Sequence, residues 1–162
     1  MKDVGFMFDT NIFDKILDGK IELLPNQKYY ITHIQYDEIC NIPEEKRERR
    51  EGLLKTFNKV PKEVIATEGV VVGVSRYNMA KLMSRADAEL YNNMLKRLRE
   101  LDEKAGRRKP LENQIRDILI ALTSIKNSLI LVTGDENLKV VTQEFQGCAI
   151  TFEQFLRKEY FK

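Results

Sequence analysis

The sequence contains a single histidine, His33, and only two cysteines, Cys40 and Cys148, far apart along the chain. One histidine excludes a nuclease that works through a histidine pair, and a Ser–His–Asp hydrolase would have to use this residue. Two distant cysteines suggest neither a disulfide framework nor a zinc site, so a reducing cytosol is the expected setting. There is no GxSxG elbow, no GxxxxGK[ST] phosphate loop and no GxGxxG fingerprint. No apolar run approaches the roughly 18 residues of a membrane span. The first residues also lack the charged region, apolar core and cleavage site of a secretion signal. A cytoplasmic protein with no membrane partner is therefore expected. Internal repeats and low-complexity tracts are absent as well, and any chemistry is left to carboxylates.

What is present fits one folded unit. A chain of 162 residues, 43% hydrophobic and 32% charged, is long enough for a substantial core and too apolar for disorder, so residues 1–162 read as one domain. Basic residues number 27 and acidic ones 25, and the near balance conceals local clustering. Basic patches could meet a polyanion while a separate acidic cluster holds cations.

The N-terminal run VGFMFDTNIFD organises the rest. Val4 to Phe8 form a short, almost continuous apolar run, the pattern of a central strand covered on both faces. Asp9 then falls at the carboxyl end of that strand, where open α/β sheets place their sites. Asn11 is expected to cap a helix starting at Ile12 and ending near Gly19. On this stretch alone Asp9 and Asn11 could be only turn and cap residues.

Lys28 to Ile31 read as a strand, followed by Thr32 and Gln35 in a capping-box pattern. On the helix so opened, Ile34, Ile39 and Cys40 are expected to face the core. Glu38 then lies beside the buried stripe, where a carboxylate needs a partner or a metal. Pro43 is expected at the first position of the next helix, whose arginines read mainly as a solvated face. Residues 64–74 suggest one or two short strands or an extended connection. From Ser75 the pattern predicts a helix with Met79, Leu82 and Met83 on one stripe, then a longer one carrying Leu90, Met94, Leu95, Leu98 and Leu101.

Residues 111–126 predict an apolar helix. On it Asn113 and Asp117 lie one turn apart. An aspartate within a run otherwise destined for burial is costly, since it competes with the backbone for hydrogen bonds. A second buried strand, Ser128 to Thr133, runs directly into Gly134, Asp135 and Glu136. A short helix, a strand from Cys148 to Thr151 and an amphipathic segment with Phe155, Leu156 and Phe161 apolar complete the chain.

Two strands thus end in aspartate, Asp9 and Asp135, and two helices carry acids near their buried faces, Glu38 and Asp117. Four carboxylates cannot share a buried site as free anions, because each raises the pKa of the others. A divalent ion resolves the conflict, and oxygen-only donors point to Mg²⁺ or Mn²⁺.

These motifs (FDTNIFD at Asp9, the helix acid Glu38, RDILIAL at Asp117 and LVTGDENL at Asp135) resemble the four acidic motifs of PIN-domain nucleases, including the VapC-type ribonuclease toxins. The resemblance runs nearly the whole chain. It implies a PIN-like, Rossmann-like α/β sandwich of three layers, with a mainly parallel central sheet between helices. It implies hydrolysis of single-stranded or structured RNA with Mg²⁺ or Mn²⁺ held by Asp9, Glu38, Asp117 and Asp135. By the same resemblance Asn11 and Thr133 orient those acids, with Asn113 and Glu136 as further contacts. An antitoxin protein is an implied partner, and a homodimer a further expectation. Two departures stand out. The segment from about residue 63 to 103 is long for a compact toxin. Arg107, Arg108 and Lys109 precede the Asp117 helix, where they could grip phosphates or form a solvated helix end. Tyr29, Tyr30 and Tyr36 could stack bases, although packing explains them more simply. The competing reading is a catalytically weak PIN-like module that binds RNA or protein. A dehalogenase-type phosphatase fits poorly, because it expects an aspartate where Asn11 stands.

Overall fold

The computed structural model describes residues 4–159. Five short parallel strands form the central layer: β1 (Gly5–Phe8), β2 (Lys28–Ile31), β3 (Glu63–Val64), β4 (Ile130–Val132) and β5 (Cys148–Ile150). Their spatial order is β3-β2-β1-β4-β5, so β1 is central and the chain winds outward from it on both sides. Residues 6, 7 and 8 of β1 pair with Ile130, Leu131 and Val132 of β4. Such a sheet has a switch point between β1 and β4, and the crevice beyond the carboxyl ends there is where ligands bind.

Among the described residues the α-helices are α1 (Thr10–Gly19), α2 (His33–Cys40), α3 (Arg47–Lys59), α4 (Arg85–Lys104), α5 (Leu111–Lys126), α6 (Glu136–Glu144) and α7 (Phe152–Leu156). Strand alternation divides the core. Phe6 and Phe8 point to one face, where they pack with Phe13, Tyr29, Phe57 and Phe155 from α1, β2, α3 and α7. Met7 and Leu131 point to the other, against Met94 and Leu98 of α4, Ile118 and Leu122 of α5, and Leu138 of α6. Edge-on aromatic pairs lock the first layer, with ring centroids 5.0 Å apart for Phe6–Phe155 and 5.5 Å for Phe8–Phe155. The architecture is the α/β sandwich that the sequence predicts, and its sheet is wholly parallel.

Several local expectations change. Asp9, not Asn11, caps α1, because its carboxylate accepts from the Thr10 amide and the helix starts two residues earlier. The left-handed residue ending α1 is Lys20, at φ 48°, rather than Gly19. Pro43 precedes a short 3-10 turn, Glu44–Lys46, and α3 begins only at Arg47. Among those arginines, Arg49 bridges Asp14 and Asp18 of α1, so this face is partly tied down. Cys40 is exposed although Ile34 and Ile39 are buried. Tyr29 is buried, Tyr30 is half-buried and Tyr36 is exposed.

The largest change lies between β3 and α4. Residues 65–84 form no helix, only an extended excursion with one isolated bridge between Thr67 and Ala80. Its fold comes from non-local bonds: the Thr67 amide donates to the Met79 carbonyl, the Lys81 amide to the Thr67 carbonyl, and the Glu68 amide to Thr123 Oγ1 on α5. Val72, Tyr77 and Leu82 consequently face solvent. In the closing segment Phe155 is buried and Leu156 exposed, while Phe161 lies outside the described residues.

Candidate functional site

The carboxyl ends of β1 and β4 carry two of the acids directly. Asp9 is 3% exposed, and its side chain caps α1 by accepting from the Thr10 amide at 2.8 Å through Oδ1. Its Oδ2 accepts from Asn11 Nδ2 at 2.8 Å and from the Thr133 hydroxyl at 2.6 Å. Thr133 Oγ1 accepts in turn from the Asp135 amide at 3.0 Å, and the Gly134 amide donates to Asn11 Oδ1 at 2.9 Å. Asn11 and Thr133 therefore link the two strand ends across the switch point and fix the Asp9 carboxylate between them. Asp135 caps α6, its Oδ1 accepting from the amides of Asn137 and Leu138, and turns Oδ2 toward the crevice.

Glu38 arrives from the β2 side. The Thr32–Gln35 capping box starts α2, and Gln35 Nε2 donates to the Phe8 carbonyl at 2.8 Å, pinning that helix to β1 beside Asp9. Glu38 Oε2 accepts from the Thr10 hydroxyl, so the residue after Asp9 joins the strand end to α2. Asp117 projects from α5, and both Asp9 and Glu38 act on its charge.

The charges of these acids act on one another. Burial raises the Glu38 pKa to about 7, the Thr10 hydrogen bond opposing it and Asp9 adding to it. Burial, then the charges of Asp9 and Glu38, push Asp117 well above the ordinary carboxylate range, against the pull of Lys109. Asp9 is also raised, by burial and by Asp135, although Thr133 and Thr10 hold it back. Asp135 behaves oppositely. Burial would raise it too, but Lys109, the Leu138 amide and Arg107 outweigh burial and lower it.

The cations responsible come from the connection between α4 and α5. Lys109 Nζ donates to Asp117 Oδ2 and to Asp135 Oδ2, each at 2.7 Å. Arg107 Nη1 donates to Asp135 Oδ1 at 3.2 Å. Arg108 is exposed and makes no ion pair among the described residues. Two of the three basic residues thus face the acids rather than forming the solvated helix end that the sequence also allowed.

Not every expected residue is drawn in. Asn113 is exposed, and its Oδ1 accepts only a long 3.5 Å bond from Arg116. Glu136 is exposed and paired with Lys139 at 2.8 Å. Asn113 lies one turn from Asp117, at the exposed start of α5, and Glu136 directly follows Asp135; neither bonds to the four acids among the described residues. Sequence reasoning passed over Thr10, although it sits inside the motif that carries Asp9. It also passed over Asp102, 1% exposed, which accepts from Gln114 Nε2 and Asn137 Nδ2 at 2.8 Å each and ties α4, α5 and α6 together behind Lys109. A charged residue in the apolar stripe of α4 was the signal for it. His33, expected to be structural, is buried with Nδ1 at 3.0 Å from Asp37.

The donor set suits a hard divalent cation: four carboxylates from four elements, with a lysine ammonium already standing where positive charge is needed. As arranged here, no three acidic, histidine or cysteine side chains among the described residues lie close enough together to hold a metal.

Comparison of the sequence with protein-family models and with curated proteins gives no match. Comparison of the fold with solved structures does. The crystal structure of VapBC2 from Rickettsia felis, bound to a DNA fragment from their promoter, matches at a TM-score of 0.51 and 18% identity, over 91% of this chain and 98% of the other. PAE2754 from Pyrobaculum aerophilum matches at 0.53 and 14% identity, over 99% and 98%. The likeness carries the fold, which is the PIN-like sandwich that the sequence motifs imply.

Proposed function

We propose that this protein is a metal-dependent endoribonuclease whose site is the cluster of Asp9, Glu38, Asp117 and Asp135. The observation that carries the reading is the cost of the cluster. Three of its four acids have raised pKa values at the crevice beyond β1 and β4, a placement that burdens stability and suits a cation-binding function. Asp9, Glu38, Asp117 and Asp135 would hold Mg²⁺ or Mn²⁺, which when bound supplies positive charge to a phosphate and makes water more acidic. Asn11, Thr10 and Thr133 keep the carboxylates aimed at the crevice through the hydrogen bonds they already make. Arg107 and Arg108 would meet the phosphate backbone and position the strand without reading its sequence.

The fold likeness to VapBC2 and the resemblance to VapC-type toxins support placing the protein in a toxin–antitoxin pair, with an antitoxin as partner. The assay is incubation with a single-stranded RNA, a DNA of the same sequence and the paired RNA, each with Mg²⁺ or Mn²⁺ and with a chelator. Cutting of the single-stranded RNA alone, stopped by the chelator, is the expected result. Preferential cutting of DNA, or cutting that survives the chelator, would overturn the proposal.

A second reading has its own observation. Lys109 already pairs with both Asp117 and Asp135, so a PIN-like module that binds RNA or protein without cutting could keep this cluster without a metal. RNA retention with no cleavage under any metal condition would favour it.

A further inference from the structure

The connection between α4 and α5 delivers a cation to the middle of the acids. Lys109 Nζ lies 2.7 Å from an oxygen of Asp117 on a helix and 2.7 Å from an oxygen of Asp135 at a strand end, and so bridges the two elements. Magnesium takes its oxygens at about 2.0–2.1 Å. An ammonium at 2.7 Å from each therefore holds these acids wider apart than a metal would. That agrees with the lack of any metal-sized group of acidic, histidine or cysteine side chains among the described residues.

We propose that Lys109 is a built-in competitor of the divalent ion: it holds the cluster in an expanded, charge-compensated form, and metal enters only as its ammonium leaves. The inference rests on the reading of the cluster as a metal site. Two cations cannot occupy the same position between Asp117 and Asp135, because a divalent ion and an ammonium at ion-pair distance repel each other strongly, twice as much as two single charges would. The lysine has a way out. It sits on a short connection with Gly106 at φ 70°, on a flexible four-carbon stem, beside a cavity lined by Arg99, Arg107 and Arg108. Glu103 and Asp102 line that cavity too, but its three arginines outnumber them, so the displaced ammonium joins a surface that remains suited to a phosphate anion. Asp102, held by Gln114 and Asn137, fixes the cavity's inner wall.

The test is calorimetric titration of Mn²⁺ into the wild type and Lys109→Met, with both first shown folded by circular dichroism. The expected result is at least about tenfold tighter binding by the variant, the effect of removing one opposing charge. Equal or weaker binding by Lys109→Met, with clear binding by the wild type, overturns the inference and leaves the metal site standing. No binding by either protein removes the metal site and the inference together. Should Lys109→Met fail to fold, the wild type decides. Acylation of the Lys109 amine at fixed pH, followed by peptide mass spectrometry, should speed up severalfold on adding Mn²⁺, with Lys15 as internal reference. An unchanged rate under saturating Mn²⁺ contradicts the exchange.

Discussion

At the scale of single residues, Glu38 shows how site and stability pull apart. Its folded pKa of about 7 stands above the ordinary 4.5 because burial disfavours the anion more than Thr10 stabilises it. Between those two values the folded state holds a proton that the unfolded state releases, so stability falls as pH rises from about 4.5 to 7 and is flat beyond. The loss amounts to about 3 kcal/mol at most. Asp9 and Asp117, also raised, add to the same trend, while Asp135, lowered, loses its contribution only as pH falls below the usual aspartate range. Glu38→Gln should therefore unfold at higher denaturant than the wild type at pH 8, and the difference should shrink toward pH 5. Urea melts at the two pH values check this. A variant equally destabilised at both would show that Glu38 is held by packing and not by its charge. Asp9, Glu38, Asp117 and Asp135 were legible as a set in the sequence because each breaks an apolar pattern at a strand end or helix face. Lys109 was not legible as their partner, since nothing in a run of three basic residues says which one turns inward.

At the scale of elements, what was legible is what is encoded locally. The helix from Leu111 to Lys126 and the strand from Lys28 to Ile31 have the bounds that their patterns predict. The Thr32–Gln35 capping box is present, with both of its reciprocal bonds formed. Residues 64–74 are extended, as one of their two readings has it, but the helix expected from Ser75 is not formed, because the spacing of Met79, Leu82 and Met83 imitates a helical stripe. Val72, Tyr77 and Leu82 face solvent, and the segment is held by the Thr67 and Ser75 hydroxyls, which both donate to the Gly69 carbonyl, and by Thr123 of α5, which accepts from the Glu68 amide. The junction between α6 and β5 is set by close packing. A methyl group added at Gly147 would lie 2.6 Å from Ile125, 2.7 Å from the Thr142 side chain and 2.9 Å from the Thr142 carbonyl. The carbonyl belongs to the helix backbone and cannot swing away. Gly147→Ala should cost about 1–3 kcal/mol in equilibrium unfolding. A neutral result would show that α6 shifts freely against β5, which would in turn loosen Asp135 at the start of that helix.

At the scale of the molecule, the chain order makes the site. A parallel sheet ordered β3-β2-β1-β4-β5 reverses direction between β1 and β4, and both strands feed an acid into the opening there. The crossovers then place α2 and α5 close enough for Asp9 to raise both Glu38 and Asp117. This fold is shared with VapBC2 from Rickettsia felis and with PAE2754 at identities of 18% and 14%, so the architecture survives where most side chains differ. Everything turns on whether the assembled acids work as one metal-dependent centre. The most direct measurement is cleavage of single-stranded RNA by the wild type and Asp117→Asn, in Mn²⁺ and in a chelator. The account predicts metal-dependent cutting by the wild type and a loss of at least about a hundredfold in the variant, since disturbing even the groups behind a metal's ligands costs 10–100-fold. Cutting by Asp117→Asn at the wild-type rate, or cutting by either protein in the chelator, would contradict it.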